Sequence, residues 1–413
     1  MEETLNIALK VLVASSIVGA VLSGCATDLV GDSADLTSME YPTGMAIHPN
    51  GRYAYIVGSN FDLDYRATDG GVLYVVDLQS GVIMPSSKRM GSFGTNVVLS
   101  TDGRHGFTVT RDDDALVWFE ISEDGSTISC PNEKADSESL LKCRVFLDDD
   151  PSHIALTHSY RDVTQYDASG QATTRRVEFD LLTISQLRNA HVTMMTVQYG
   201  EDGDLDFSHA SAALVYSASE SLWLSGEKFI VTGRAATNLL VVTPAINTDG
   251  HIEGIYASQA VTVPSGFNVY QGRGMATDPS RQNLFLLNQY PKSLLKFDIS
   301  GLDEQSAATD RAALTDMLML PSDMTRLVWV GDNDTGMLYI TCVADDAIYI
   351  VDPRRMEIAE KLTVGDGPYD MVLYGNTLHV VHFIATDIWQ FDISTPSSPK
   401  LKSKLLFKGS SNP

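Results

Sequence analysis

Short apolar runs that end in a polar residue recur along this chain. Counting back from that residue, the first and third positions are apolar in all seven copies, whereas the second position varies. Side chains two residues apart on a strand share a face, so the pattern predicts strands with one face always buried. The end residues of the seven runs are Asp77, Glu120, Asp180, Thr243, Asp298, Asp352 and Asp392.

A second set of apolar runs, rich in β-branched and aromatic residues, precedes most members of the first set. Examples are RYAYIVGS from Arg52 and MLYITCV from Met337. These runs lie beside turn signals such as PNG and DTG, which predicts pairs of strands joined by tight turns. Only the third copy, whose first-set run is TTRRVEFDL, lacks a clear second run.

The spacing of the repeats predicts the architecture. The end residues lie 40 to 63 residues apart, which is about the size of a four-stranded propeller blade. A small sheet cannot bury both faces alone, but blades arranged around an axis cover one another and leave only short edges. We therefore predict an all-β fold, a seven-bladed β-propeller of four-stranded antiparallel blades over residues 41–407. A pair of β-sandwiches and a solenoid are the alternatives.

The closure of the ring stays open at this point. The segment KLKSKLLF near the C-terminus fits the outer strand of blade seven, but the chain before Tyr41 could pair there instead. Residues 408–413 are expected to form a C-terminal tail.

The first blade opens with PTGMAIHPNGRYAYIVGS, in which the turn Pro49-Asn50-Gly51 precedes a strand centred on Tyr55. This pattern resembles the YVTN-type propeller repeats of bacterial surface and periplasmic proteins. The resemblance implies a relation to the seven-bladed lactonases, whose active site lies at the channel mouth and uses carboxylates and histidine, sometimes with a metal. Convergence of Asp and His side chains on one axial mouth would favour such an enzyme.

The start of the chain has a different character. Residues 11–21 form an apolar run that is shorter than the roughly 20 residues of a membrane span, and Leu22-Ser23-Gly24-Cys25 follows it. This arrangement resembles the lipobox of bacterial lipoproteins, in which the cysteine is lipidated and becomes the first residue of the mature chain. The resemblance implies a signal peptide over residues 1–24 and membrane attachment through lipid on Cys25.

The residues after the lipobox complete this prediction. Residues 25–40 are small and polar and are expected to form a lipidated tether. Ala26 is not the aspartate that often marks retention at the inner membrane, so the resemblance implies a lipid-anchored protein of the bacterial cell envelope at the outer membrane.

Net charge narrows the range of partners. The chain carries 53 acidic and 29 basic residues, for a net charge of −24. Nucleic acid requires a basic surface, so a nucleic-acid partner is not expected. The excess of acidic residues is typical of solubility in an aqueous envelope compartment.

Few residues offer candidate chemistry. Cys130 and Cys143 bracket a polar loop, and an oxidising envelope favours a disulfide between them. Asp202, Asp204 and Asp206 alternate as in the first half of a calcium loop. A solvated acidic loop is the alternative, because neither the expected glycine nor the closing glutamate follows. No other cofactor is expected.

Catalytic motifs are missing from the sequence. It contains no GxSxG elbow, no P-loop and no GxGxxG after a strand. His379 and His382 are three residues apart, which on a strand puts them on opposite faces and makes a shared metal unfavourable. We therefore predict a non-catalytic binding or scaffold module for a protein or an envelope polymer. The alternative is a lactonase-like hydrolase with its active site at the channel mouth.

Overall fold

The computed structural model describes the chain from residue 34 to residue 407, with internal gaps at 60, 62–70, 135, 167–169, 189, 201–203, 216, 237, 263–268, 271, 301 and 303–312. Cys25 and the predicted tail therefore lie outside the described residues. Within them the chain forms seven blades of antiparallel strands, and the helical structure consists of a single 3-10 turn over Val343–Asp345. The predicted seven-bladed propeller is confirmed.

The first three blades follow one another along the chain, each with its innermost strand first. Blade one contains β1 (Pro42–Ile47), β2 (Tyr53–Gly58), β3 (Gly71–Asp77) and an outer edge of β4 (Val82–Ile83) and β5 (Lys88–Gly91). Blade two contains β6 (Gly94–Leu99), β7 (His105–Thr110), β8 (Ala115–Ile121), β9 (Ile128–Ser129) and β10 (Arg144–Phe146). Blade three contains β11 (Pro151–Tyr166), β12 (Ala172–Gln186), β13 (His191–Tyr199) and β14 (Leu205–Ala213).

The remaining four blades repeat this order. Blade four contains β15 (Ala218–Ser225), β16 (Lys228–Gly233), β18 (Asn238–Ile246) and β19 (Ile252–Thr262), while β17 (Ala235–Ala236) pairs with β20 (Val269–Tyr270). Blade five contains β21 (Arg273–Thr277), β22 (Asn283–Gln289), β23 (Lys292–Asp298) and β24 (Ala313–Met319). Blade six contains β25 (Met324–Val330), β26 (Met337–Cys342), β27 (Ala347–Asp352) and β28 (Glu357–Thr363). Blade seven contains β29 (Pro368–Tyr374), β30 (Thr377–His382), β31 (Asp387–Asp392) and β32 (Lys400–Leu406).

The innermost strands close a ring. Each of β1, β6, β11, β15, β21, β25 and β29 contacts the next, and β29 contacts β1. Apolar clusters fill the spaces between blades, so that neighbouring sheets cover one another as the repeat pattern predicts.

In the described part of the chain, blades seven and one share no strand. The segment KLKSKLL is β32 and pairs with β31, so blade seven is built entirely from the C-terminal part of the chain. The segment before blade one packs at the boundary of blades one and seven, where the Tyr74 hydroxyl donates to the Ser38 carbonyl at 2.8 Å. Tyr374 of blade seven also donates to the Pro49 carbonyl of blade one at 2.7 Å.

The polar residue that ends each first-set run has a local role in most blades. Oδ1 of Asp77, Asp298, Asp352 and Asp392 accepts the backbone N–H two residues further on, each at 2.9 Å. This Asx turn starts the connection from the third strand to the fourth. The repeat therefore records a turn that recurs in the same place in successive blades.

Blade three departs from the predicted register. The run TTRRVEFD lies in the second strand, β12, and not in the third, so Asp180 sits within a strand and begins no turn. The β11–β12 hairpin is longer than its counterparts, and Val177 and Phe179 are buried at its root. Their alternation imitates a third strand, which explains both the wrong register and the missing second run.

Candidate functional site

A β-bulge interrupts every innermost strand at the same point. In each strand one extra residue faces the second strand shortly after the strand begins. Bulges re-aim the side chains that follow them. The residues at the bulges are Thr43, Thr95, Ser152, Ser219, Gly274, Thr325 and Tyr369.

The hydroxyl groups at these bulges join neighbouring blades. Oγ1 of Thr43, Oγ of Ser219 and Oγ1 of Thr325 each donate to a carbonyl oxygen of the next blade at 2.9 to 3.0 Å. In blade two the residue after the bulge, Asn96, makes the contact with the next blade. Its side-chain amide donates to the carbonyl of Ile154 and accepts the N–H of the same residue. The bulges thus form a collar of hydrogen bonds around the axis.

The residues that directly follow the bulges are ionisable in four of the seven blades. His153, Glu220, Arg326 and Asp370 occupy this position in blades three, four, six and seven, and we call them the axial cluster. Nη1 of Arg326 lies 3.6 Å from Oε1 of Glu220. Because blades four and six are not neighbours, this contact reaches across the axis.

Both carboxylates of the axial cluster also bind backbone of the next blade. Oδ1 of Asp370 lies 3.0 Å from Nε of Arg326, and Oδ2 accepts the N–H of Met45 at 2.9 Å. Oε2 of Glu220 accepts the N–H of Gly274. Burial raises the pKa of both carboxyl groups, although the Arg326 charge and these N–H donors oppose that shift.

His153 is neutral in this setting. Burial, with a smaller contribution from the Arg326 charge, lowers its pKa to about 3. Nδ1 faces the N–H of Ser221 at 3.4 Å, and Nε2 lies 3.7 Å from Oε1 of Glu220, which is too long for a hydrogen bond. The histidine and the glutamate therefore do not form a hydrogen-bonded acid–base pair.

The chemical capacity of the axial cluster follows from this arrangement. The side chain of Arg326 is 29% exposed although its Nε atom is buried, so part of this cationic side chain stays accessible to an anionic oxygen. Glu220, with its raised pKa, is suited to proton transfer. Among the described residues no group of three or more His, Cys, Asp or Glu side chains is placed to hold a metal ion.

Of the residues selected from the sequence, those that the structure describes are not members of the axial cluster. Cys130 and Cys143 form a disulfide, with their Sγ atoms 2.02 Å apart. Asp202 falls outside the described residues, while Asp206 pairs through Oδ2 with Nε2 of His251 at 3.0 Å. Asp204 is exposed, and the calcium site stays a prediction.

His382 and His158 each have their own partners elsewhere in the ring. Nε2 of His382 accepts the N–H of Gly365 at 3.1 Å, and Nδ1 lies 2.7 Å from Oδ1 of Asp387. Nδ1 of His158 lies 3.0 Å from Oδ1 of the buried Asp180. The His158 contact lies within blade three, and the His382 contacts fix the connection from blade six to blade seven against blade seven.

Sequence analysis missed the axial cluster as a unit. The sequence signal for it is a charged residue at the position after the bulge in an innermost strand. Glu220, Arg326 and Asp370 are these residues in blades four, six and seven. Seeing it requires an alignment on the first strand of each blade, where the repeat is weakest.

Comparison with known proteins supports the architecture. No protein-family profile matches the chain. A 6-phosphogluconolactonase from Enterobacter sp. (strain 638) is 30% identical over 99 residues, which cover 23% of this chain and 30% of that relative. The match therefore spans less than a third of the relative's length.

Solved structures match over more of the chain at low identity. A protein from Lactobacillus plantarum has a TM-score of 0.54 at 13% identity and covers 87% of this chain and 97% of its own. A candidate 6-phosphogluconolactonase from Bacteroides uniformis has a TM-score of 0.50 at 12% identity, with coverages of 80% and 88%. Among the described residues no helix is long and apolar enough to cross a membrane. The chain is a seven-bladed β-propeller with lactonase-like neighbours.

Proposed function

We propose that this chain is a lipid-anchored propeller of the bacterial cell envelope that acts by binding another protein, without catalysing a reaction. The observation that carries this proposal is the long hairpin of blade three. Beyond its root, residues 162–165 of β11 pair with residues 173–176 of β12, and most of these side chains are exposed. We call these two stretches the arm.

Local contacts hold the arm in one conformation. Arg176 donates from Nε and Nη2 to the two carboxylate oxygens of Asp162 at 2.9 and 3.2 Å, and its guanidinium lies 4.0 Å from the ring centroid of Tyr160. A projecting segment that is ordered before binding loses less conformational entropy when a partner docks.

The root of the arm packs against blade four. Arg161 pairs with Glu227 through Nη2 and Oε2 at 2.6 Å, and Ser159 donates to Oε1 of the same carboxylate at 2.6 Å. Phe179 packs into an apolar cluster with Phe229 of blade four. These contacts fix the root of the arm against blade four.

Site-specific crosslinking tests the binding proposal. A photoreactive residue at Gln165 in the arm should yield a discrete crosslinked protein in intact cells, whereas the same residue at the exposed Glu357 of blade six should not. The arm variant Arg176→Glu should lose the product. Identical products at both positions, or a crosslink to envelope polymer alone, would contradict the proposal.

Membrane attachment is proposed through Cys25. The full-length protein should fractionate with membranes and incorporate labelled fatty acid, and Cys25→Ala should remove both properties. Recovery of unlabelled, lipid-free protein from the wild type would exclude the anchor.

A second candidate function has its own supporting observation. Two carboxylates, a histidine and an arginine converge on the axis, as expected for a lactonase-like hydrolase. The full-length protein should then hydrolyse a lactone, and Glu220→Gln should lower the rate at least 100-fold while Glu357→Gln leaves it unchanged. Absence of hydrolysis across a panel of sugar lactones would leave the binding proposal as the better account.

A further inference from the structure

One position in the second strand of the blades acts as a wedge between neighbouring blades. It is the third residue of the second strand, and Tyr55, Phe107, Phe285 and Tyr339 occupy it in blades one, two, five and six. All four side chains are almost completely buried. A large aromatic ring at this point fills the space beside the next blade.

The two tyrosines also bond the following blade. The Tyr55 hydroxyl donates to the Gly125 carbonyl of blade two at 2.9 Å, and the Tyr339 hydroxyl donates to the Pro396 carbonyl of blade seven at 2.7 Å. Both acceptors lie between the third and fourth strands of the next blade. The two tyrosines therefore fill the space between neighbouring blades at the loops that join the third and fourth strands.

Blade seven has a histidine in place of this aromatic wedge. His379 faces Gln390 on the neighbouring strand, and a cleft of about 320 Å³ lies between blades seven and one. The cleft reaches Leu78 and Gln79, at the turn of blade one that corresponds to the acceptors above. We call this space the seam cleft. Its polar lining includes Arg52, Gln79, Thr377, His379, Gln390 and Lys402.

His379 provides a neutral polar group in the wall of the seam cleft. The residue is only 4% exposed, and burial, with a smaller contribution from the Lys402 charge, lowers its pKa to about 4. Nδ1 faces the side-chain amide of Gln390 at 3.4 Å. If that amide donates, the neutral ring carries its proton on Nε2 and can donate a hydrogen bond there.

The charge of the seam cleft contrasts with the rest of the chain. No aspartate or glutamate is among the described residues that line it, although the chain has a net charge of −24. Arg52 is paired with Asp77 at 3.0 Å, so Lys402 is the cation with more freedom. Nζ of Lys402 donates to the Thr377 hydroxyl at 2.8 Å, which uses one of its three N–H groups.

We infer that the seam cleft binds a small polar molecule that carries a phosphate or carboxylate group. Lys402 holds the anionic group, and the polar side chains of the wall, including His379 and Gln79, bond neutral oxygens. The volume is at the lower end of ordinary ligand sites, roughly 300 to 1,000 Å³, and suits a molecule of monosaccharide size. This inference does not depend on the arm, the lipid anchor or lactone hydrolysis.

Calorimetric titration of the full-length protein tests the inference. Glucose 6-phosphate or glucuronate should bind, and glucose should bind at least tenfold more weakly because it lacks the anion. Binding of both anions points to a site for charge in general, whereas binding of one alone identifies which group the cleft prefers. Either result supports the site.

Two variants with one matched control locate the binding. His379→Tyr rebuilds the wedge found in blades one and six, so it should abolish binding while the melting temperature is kept or raised. Lys402→Gln should weaken anion binding at least fivefold. Lys404→Gln, on the same strand but over the Trp389 ring, should leave affinity unchanged.

Three results would overturn the inference. They are the absence of heat with either sugar anion at millimolar concentration, equal affinity for glucose, and unchanged affinity in Lys402→Gln. The lysine variant removes only a surface charge, so it decides the question even if His379→Tyr folds poorly.

Discussion

Nε of Arg326 in blade six lies 3.0 Å from Oδ1 of Asp370 in blade seven. The same guanidinium approaches Glu220 from across the axis at 3.6 Å. One cation thus offsets two buried carboxylates, each of which also binds backbone of another blade. The centre of the ring depends on this balance of charge.

Removing Arg326 should be costly because it leaves two buried carboxylates without a cation. Arg326→Met keeps most of the side-chain volume, and we expect it to lower the free energy of unfolding by about 3 kcal/mol at neutral pH. Denaturant titration measures the change. Arg355→Met, which breaks an exposed pair with Glu357, should shift the midpoint little, and an equal loss in both variants would contradict the argument.

Buried histidines should make stability depend on pH. The folded-state pKa of His153 is about 3 and that of His379 is about 4, both below the usual 6.5. Protons therefore favour the unfolded chain below pH 6.5, and stability is lost as the pH falls towards these values. Glu220 and Asp370, whose pKa values are raised, act with the opposite sign, because their contribution is lost as the pH rises.

A single variant separates these opposing effects. The difference in unfolding free energy between wild type and His153→Gln should change by up to about 1.4 kcal/mol per pH unit as the pH falls from 6.5 to 4, with the wild type losing more. Urea titration across that range measures it. A difference that does not vary with pH would mean that His153 is protonated in the folded protein.

The hydroxyl collar should contribute measurably at each boundary. Oγ1 of Thr325 bonds the Tyr369 carbonyl at 2.9 Å and the Thr341 hydroxyl at 2.8 Å. Thr325→Val keeps the shape and removes these bonds, so we expect a loss of about 1 to 2 kcal/mol. Thr315→Val, at an exposed hydroxyl on an outer strand, is the matched control and should change stability by less than about 0.5 kcal/mol.

The disulfide should stabilise blade two. Cys130 and Cys143 are 13 residues apart, and closing a loop of this size is worth about 3 kcal/mol. The double variant Cys130→Ser/Cys143→Ser should lose about that amount in chemical denaturation. Reductant should bring the wild type to the level of the variant and leave the variant unchanged. A wild type that is insensitive to reductant would show that the bond adds nothing.

The fold was predictable because its main signals are local. In most blades the third strand buries the apolar positions one and three residues before its end residue. The Asx turns after Asp77 and Asp392 likewise recur in the structure as they do in the sequence. The register of blade three was not predictable, because Val177 and Phe179 alternate for a different reason: they bury the root of a hairpin that extends past its blade.

The axial cluster could not be predicted from local patterns. Glu220 and Arg326 are separated by a whole blade in sequence, and they meet only because the ring curves until their strands face each other. The seam cleft also lies between parts of the chain that are distant in sequence and meet only when the ring closes. His379 is unremarkable within TLHVVHF and gains meaning only beside the tyrosines at the equivalent position in other blades.

In the described residues the backbone runs directly from one blade to the next at six of the seven boundaries, and blades seven and one have no such connection. No strand pairing joins these two blades in the part of the chain that the structure describes. When the N-terminal and C-terminal ends of the propeller are pulled apart, blades seven and one should therefore separate before the strands of any blade lose their pairing. A ligand bound in the seam cleft would contact both of these blades, so we expect it to raise the force needed to separate them.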